Sequence, residues 1–184
     1  MEVITTKLDG VLRLRPEAFH DERGFFLETW NAARFNAAVG REVDFVQDNV
    51  CCSGCGVLRG LHYQAAPAAQ GKLIRVVSGR IFDVAVDVRP ESSTYGRWEG
   101  HELDGMSQEL LWIPEGFAHG FLVLSDEADV FYKATTYYSP QHERCIRWDD
   151  SDLGIEWPSA GSSLIVSAKD AHGMTFRNLR DAPE

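Results

Sequence analysis

The sequence predicts an all-β domain, either a sandwich or a barrel, with jelly rolls among the candidates. From Val43 onward, short runs rich in β-branched and aromatic residues recur at near-regular spacing, and turn-forming pairs separate them. Residues 82–88 (FDVAVDV) alternate strictly, with Asp83 and Asp87 on the face opposite to the apolar side chains. At 184 residues and 44% hydrophobic content, the chain is long enough for one domain with a substantial core.

The N-terminal segment begins with two predicted strands at residues 3–8 and 11–15. The dipeptide Asp9-Gly10 between them is typical of a hairpin turn. A further extended run is predicted at residues 25–30, after a polar turn.

One short helix is predicted at residues 32–39. Asn31 precedes it as a candidate N-cap, and Gly40 follows it as a stop signal. The remaining elements are predicted strands, which lie at residues 43–50, 57–63, 73–77, 82–88, 110–113, 121–124 and 130–138. We therefore expect a single domain over 1–184. Its jelly-roll core should cover about 43–147, with a C-terminal arm after it and a loose tail beyond Arg177.

Charge and hydropathy narrow the possible partners. The formal net charge of −10 argues against binding to nucleic acid or to an anionic membrane. A small anionic ligand would need a local cluster of Arg and Lys. No apolar run resembles a signal peptide or a membrane span, so the cytoplasm is the expected compartment. The pair Cys52 and Cys55 has a C-x-x-C spacing, but a structural zinc site needs four ligands and Cys145 is the only cysteine outside residues 51–55, so free thiols are expected.

Residues 57–64 (VLRGLHYQ) hold the first candidate site residues. On a regular strand Arg59 and His62 would point to opposite faces. Gly60 lies between them, and a bulge there would bring both side chains into one pocket. From these residues alone, a core histidine and an edge-strand charge explain the pattern equally well.

Several segments, read together, resemble the dTDP-4-dehydrorhamnose 3,5-epimerase family. They are 25–28 (FFLE), 47–49 (QDN), 58–64 (LRGLHYQ), 70–72 (QGK), 83–87 (DVAVD), 113–121 (IPEGFAHGF), 132–133 (YK), 137–138 (YY), 155–158 (IEWP) and 167–170 (SAKD). The resemblance runs from about Arg13 to Asp170. It implies a cupin-type jelly roll (a double-stranded β-helix) with one or two short helices, without metal or redox cofactor, acting as a homodimer. The implied reaction converts dTDP-4-dehydro-6-deoxy-D-glucose to dTDP-4-dehydro-L-rhamnose.

Inversion of a carbon next to a ketone requires a base, donors for the enolate oxygen and an acid on the opposite face. His62 suits the base because its ordinary pKa lies near neutrality. The resemblance implies Asp170 as its partner, Tyr132 as the acid, and Lys72 and His119 as the enolate donors. Because Tyr132 lies in the predicted strand 130–138, Tyr138 should share its face.

The resemblance also implies a dTDP-binding set. Tyr138 would stack on thymine, and Arg59 and Arg23 would bind the diphosphate. The resemblance leaves open whether Arg23 acts in its own site or across a dimer in the partner's site. The other implied contacts are Glu28, Gln47, Asn49, Glu143 and Lys169. Cys51 departs from the family pattern, in which serines usually follow Asn49.

Three alternatives stay open from the sequence. A mono-epimerase that acts at C3 or C5 only would keep the same base and acid. A metal-dependent cupin would use His62 and His119 as ligands, but Gln64 stands where the first cupin motif has histidine. A non-catalytic nucleotide-sugar binder would not need His62, Asp170 and Tyr132 together.

Overall fold

Fourteen strands and three short helices form among residues 1–180, the part of the chain that the computed structural model describes. The strands are β1 (Glu2–Thr5), β2 (Leu12–Arg15), β3 (Ala18–Asp21), β4 (Gly24–Leu27), β5 (Gln47–Gly54), β6 (Val57–Gln64), β7 (Lys72–Ser78), β8 (Arg80–Asp87), β9 (Trp98–Asp104), β10 (Leu110–Ile113), β11 (Phe117–Val123), β12 (Glu127–Ala134), β13 (Glu143–Cys145) and β14 (Ile165–Val166). The helices are α1 (Ala32–Val39), α2 (Ala168–Ala171) and α3 (Phe176–Arg180). Within this part of the chain, no helix has the length and apolar character needed to span a membrane.

The central strands pair in a nested order. β5 pairs with β12, β6 with β11, β7 with β10 and β8 with β9, always antiparallel. Successive pairs fall alternately into two sheets, with strand orders β1-β2-β10-β7-β12-β5 and β13-β6-β11-β8-β9. A long double strand that coils in this way into two facing sheets is a jelly roll. The predicted all-β class and architecture are confirmed.

Three apolar clusters hold the layers together. One fills the space between the sheets and includes Ile74, Ile81 and Val130. A second packs the C-terminal arm on the outside of the β6–β8 sheet through Phe176, and a third packs α1 on the outside of the other sheet through Phe35. The two outer clusters lie on the outer faces of the sheets, and the candidate site lies between the sheets.

The N-terminal helix begins and ends as predicted. The Asn31 side chain accepts a hydrogen bond from the Arg34 backbone N–H, and Gly40 ends the helix with φ 77°. In its core, Phe35 packs edge-on against Trp112, with ring centroids 5.3 Å apart. This helix therefore seals the outer face of one sheet.

Several predicted elements need correction. The polar turn expected before residue 25 includes a strand, β3, which forms an exposed hairpin with β4. β12 ends at Ala134 and not at 138, because Thr135 and Thr136 use their hydroxyl groups to bind the 69–71 segment instead of continuing the ladder. The described residues form three short helices, where one or two were expected. The tail expected to be loose beyond Arg177 continues as α3 to residue 180, and residues 181–184 lie outside the described residues.

Candidate active site

A cavity of about 660 Å³ opens between the two sheets. Strands of both sheets and the C-terminal arm line it. The lining residues are Asn49, Val50, Cys51, Val57, Leu58, Arg59, His62, Lys72, His119, Phe121, Tyr132, Ile165, Val166, Ser167, Lys169 and Asp170. Its volume lies in the range of small-molecule and cofactor sites.

A bulge at Gly60 places two candidate residues in this cavity. The β6–β11 register pairs His62 with His119 but Arg59 with Phe121, so two residues of β6 oppose Gly120 alone. Gly60 has φ 125°, and a Cβ added to it would lie 2.5 Å from the Gly120 Cα atom. Only glycine fits this close approach. The predicted bulge is confirmed, and Arg59 and His62 both reach the cavity.

His62 forms a dyad with the buried Asp170. Its Nε2 lies 2.6 Å from Asp170 Oδ1, and Asp170 Oδ2 accepts a hydrogen bond from the Gly60 backbone N–H at 3.2 Å. The Ser167 hydroxyl caps α2 by accepting from the Asp170 backbone N–H, which fixes the carboxylate. Burial alone would raise the pKa of Asp170, but the hydrogen bonds from His62 and Gly60 hold it below its ordinary value. The ionised carboxylate keeps the proton of neutral His62 on Nε2 and leaves Nδ1 as a base.

A second histidine–carboxylate pair lies on the neighbouring strands. His119 Nε2 lies 2.8 Å from Asp83 Oδ2 and 3.0 Å from Oδ1, and both side chains are buried. Sequence reasoning assigned no role to Asp83. The sequence signal that could have found Asp83 is its position in the predicted strand 82–88, where an acidic residue alternates with apolar ones.

Lys72 reaches the floor of the cavity from the opposite sheet. Its Nζ donates to the His62 carbonyl oxygen at 3.4 Å. Burial of the amine lowers the pKa of Lys72 to about 8, although Asp83 and Glu143 act in the other direction. Lys72 and His119 both line the cavity.

Tyr132 lines the cavity from the sheet opposite to that of His62. It lies on β12 opposite Asn49 of β5 and Ile74 of β7. Burial raises the pKa of Tyr132, with a smaller effect in the same direction from Cys51. The phenol therefore keeps its proton and can act as an acid.

Hydrogen-bonded polar side chains form the rim. The Tyr138 hydroxyl donates to Glu143 Oε2 at 2.9 Å, and Glu143 Oε1 lies 2.5 Å from Lys169 Nζ. The Tyr138 backbone N–H donates to Gln47, whose amide donates to Asn49 Oδ1 at 3.0 Å. Tyr138 follows the end of β12, so the prediction that it shares a strand face with Tyr132 is wrong. The rim instead brings Tyr138 beside Glu143 and Lys169.

Arg59 is one of the residues that line the cavity. Its Nε donates to the Ser53 hydroxyl at 3.1 Å, and the residue is exposed. Burial raises the pKa of the Cys51 thiol, and the nearby charge of Arg59 lowers it by a smaller amount. Cys51 stands where the family usually has a serine. In this chain the hydroxyl group that accepts from Arg59 belongs to Ser53.

Two predicted binding residues lie outside the cavity. Arg23 is 84% exposed at the β3–β4 hairpin and pairs with Asp21. Glu28 pairs with Arg34 and Asn31 at the start of α1. A single copy of the chain does not bring either residue to the cavity.

The histidines do not converge as the metal-dependent cupin alternative requires. Each one binds its own carboxylate, His62 to Asp170 and His119 to Asp83. Within residues 1–180, the one set of three potential metal donors in mutual reach contains His62, Cys145 and Asp170 and leaves out His119. The two cysteines of the C-x-x-C pair have different surroundings. Cys52 is exposed, and the Cys55 thiol donates to the Ala160 carbonyl oxygen.

A family profile for dTDP-4-dehydrorhamnose 3,5-epimerase matches residues 5–178. The chain belongs to this family. It is 53% identical over 176 residues to the dTDP-4-dehydrorhamnose 3,5-epimerase of Shigella flexneri, covering 96% of each chain. It is 39% identical over 175 residues to a dTDP-4-dehydrorhamnose 3-epimerase of Streptomyces niveus, covering 95% of this chain and 84% of that one.

A solved family structure supports the same assignment. The 3,5-epimerase of Legionella pneumophila, in complex with dTDP-4-keto-L-rhamnose, superimposes with a TM-score of 0.92 at 46% identity, covering 96% of this chain and 93% of that chain. The predicted family membership and the cupin-type fold are confirmed.

Proposed function

We propose that this protein is a dTDP-4-dehydrorhamnose 3,5-epimerase that converts dTDP-4-dehydro-6-deoxy-D-glucose to dTDP-4-dehydro-L-rhamnose. The observation that carries the proposal is the cavity that the His62–Asp170 dyad lines from one sheet and the protonated Tyr132 lines from the other. A base and an acid on opposite walls suit removal of a proton from one face of a carbon and its return to the other.

The reaction proceeds through an enolate at each centre. His62 Nδ1 takes the proton from the carbon next to the C4 ketone, and the C–H electrons move to the C4 oxygen. Lys72 donates a hydrogen bond to that oxygen, and His119 donates as an imidazolium, with its Nε2–H held by Asp83 and its Nδ1–H free for the oxygen. Such donors are each worth about 3 kcal/mol in the transition state. Tyr132 then delivers a proton to the opposite face, and solvent restores the protonation of both groups.

The nucleotide binds at the rim. Tyr138 offers an exposed ring for stacking on thymine, and Arg59 offers a guanidinium for the diphosphate. Gln47, Asn49, Glu143 and Lys169 complete this set, because their hydrogen bonds hold the rim in place around Tyr138.

A second copy of the chain completes the site in this proposal. The β3–β4 hairpin carries Arg23 together with Phe19, Phe25 and Phe26, which are 57%, 55% and 73% exposed. An exposed cluster of aromatic rings is typical of an interface. We therefore propose a homodimer in which the hairpin brings Arg23, and the adjoining Glu28, to the nucleotide end of the partner's cavity.

Mixing two inactive variants tests this arrangement. Heterodimers of Arg23→Ala and His62→Ala contain one intact site if Arg23 acts across the interface, so activity should reappear on mixing. If Arg23 acts in its own subunit, both sites stay defective and mixing restores nothing. We also propose a cytoplasmic location, which is supported by four cysteines that are all free thiols.

Solvent exchange tests the reaction itself. The protein is incubated with dTDP-4-dehydro-6-deoxy-D-glucose in D2O, and the sugar protons are followed by NMR. Deuterium at both C3 and C5, abolished in His62→Ala, is the expected result. Exchange at one carbon only would instead indicate a mono-epimerase like the Streptomyces niveus relative. No exchange at either carbon would refute the proposal.

A further inference from the structure

Cys145 lies beside the catalytic dyad but has no part in the proposed reaction. It is on β13 directly opposite His62 of β6, so the two side chains project to the same side of the sheet. Its thiol lies 3.8 Å from Asp170 Oδ1, which itself lies 2.6 Å from His62 Nε2. Three different elements thus direct a thiol, an imidazole and a carboxylate to one point.

These three groups form a mixed donor set for a soft divalent cation. One donor atom from each lies within 4.8 Å of the other two. Tetrahedral Zn²⁺ binds at about 2.3 Å from sulfur and about 2.0 Å from nitrogen or oxygen, which places its ligand atoms about 3 to 4 Å apart. Only the His62–Asp170 pair must separate, while Cys145 must move closer.

The surroundings favour such a contraction. His62 and Asp170 border the cavity, which gives a metal ion a route of entry and leaves room for a water molecule as the fourth ligand. Asp170 and Cys145 belong to the short helix α2 and the short edge strand β13, so small shifts of either element are sufficient.

We propose that His62, Cys145 and Asp170 form an inhibitory binding site for Zn²⁺ and similar thiophilic divalent cations. The ion replaces the hydrogen bond between Asp170 and His62. The Nε2 proton of His62 moves to Nδ1 through solvent, and the thiol proton is released to solvent when sulfur becomes a ligand. Because His62 Nε2 is then bound to metal and the dyad is broken, the base is no longer held for proton abstraction. The protein therefore cannot epimerise the sugar while the metal ion is bound.

Cobalt provides a direct readout of the site. Co²⁺ bound to a thiolate gives a ligand-to-metal charge-transfer band in the near ultraviolet, which Co²⁺ bound only to nitrogen and oxygen lacks. We expect this band to appear on titration of the metal-free protein with Co²⁺, to saturate at about one ion per chain, and to disappear in Cys145→Ser. This readout needs no epimerase activity, so it stays informative if the proposed function fails.

The matched control is the double variant Cys52→Ser/Cys55→Ser, which removes the other candidate thiol pair and should keep the band. Zn²⁺ should inhibit solvent exchange at the sugar carbons, reversibly on addition of EDTA, and its inhibition constant should rise by about tenfold or more in Cys145→Ser. A band that persists in Cys145→Ser, or that is lost in the Cys52/Cys55 control, would overturn the proposal. So would equal Zn²⁺ inhibition of the native protein and Cys145→Ser.

Discussion

Replacement of Asp170 by asparagine tests the catalytic dyad. The carboxylate accepts hydrogen bonds from His62 Nε2 and from the Gly60 backbone N–H, and it is almost fully buried. An asparagine can offer its single oxygen to Gly60, but it then points its amide N–H₂ group at His62. The imidazole is forced to accept at Nε2 and to carry its proton on Nδ1, so it cannot act as a base toward the cavity.

Loss of a positioned general base costs about 10²- to 10⁴-fold in rate, which corresponds to about 3–5 kcal/mol of transition-state stabilisation. We therefore expect Asp170→Asn to lower kcat by that factor and to leave KM within about threefold, because the nucleotide contacts lie elsewhere. Deuterium incorporation at C3 and C5 measures the rate, and circular dichroism checks that the variant is folded. The control variant is Asp149→Asn, which alters an exposed carboxylate paired with Arg147. Its kcat and KM should equal those of the native protein. A folded Asp170→Asn protein that keeps a near-native rate would refute the role of the dyad.

Three further predictions concern the acid, the nucleotide platform and the enolate donors. Tyr132→Phe should abolish inversion, while His62 still exchanges the substrate proton on its own face. NMR should therefore detect deuterium in sugar that has not been inverted. Loss of exchange together with loss of inversion would contradict separate roles for the two residues. Tyr138→Ala should weaken dTDP binding by about 1–2 kcal/mol in calorimetry with little change in kcat, and equal binding would exclude stacking. Protonated Lys72 stabilises the enolate, so the rate should fall as pH rises through about 8, and Lys72→Met should be slow and lack this high-pH decline.

The sequence predicted the strands that carry strong local patterns and missed those that depend on pairing. β10 and α1 have the predicted bounds, because apolar periodicity and caps mark them. β9 contains one β-branched or aromatic residue, Trp98, and forms because β8 offers it a partner over seven positions. β13 and β14, of three and two residues, exist only as additions to β6. Such strands have too little local signal to be predicted.

The candidate site divides in the same way. Gly60 was a sufficient local signal for the bulge that brings Arg59 and His62 together. Asp170 was named only through the family resemblance, since it is separated from His62 by 108 residues along the chain. Asp83 and Cys145 were not assigned roles, because their proximity to His119 and His62 follows from strand register, and register between distant strands is a property of the whole fold.

Charge placement explains how a protein with a net charge of −10 can bind a dianionic nucleotide sugar. Two of the acids at the site, Asp170 and Asp83, are buried and bonded to histidines, so their charges face protein groups and not the open cavity. A third, Glu143, is matched by Lys169. Arg59, which is exposed, and Lys72 then remain as cationic groups that line the cavity. The potential inside the cavity is therefore set mainly by these nearby cations, while the acidic remainder of the surface is screened by salt over about 10 Å. If this is correct, binding of dTDP should weaken with added salt in the native protein and should lose much of that dependence in Arg59→Gln.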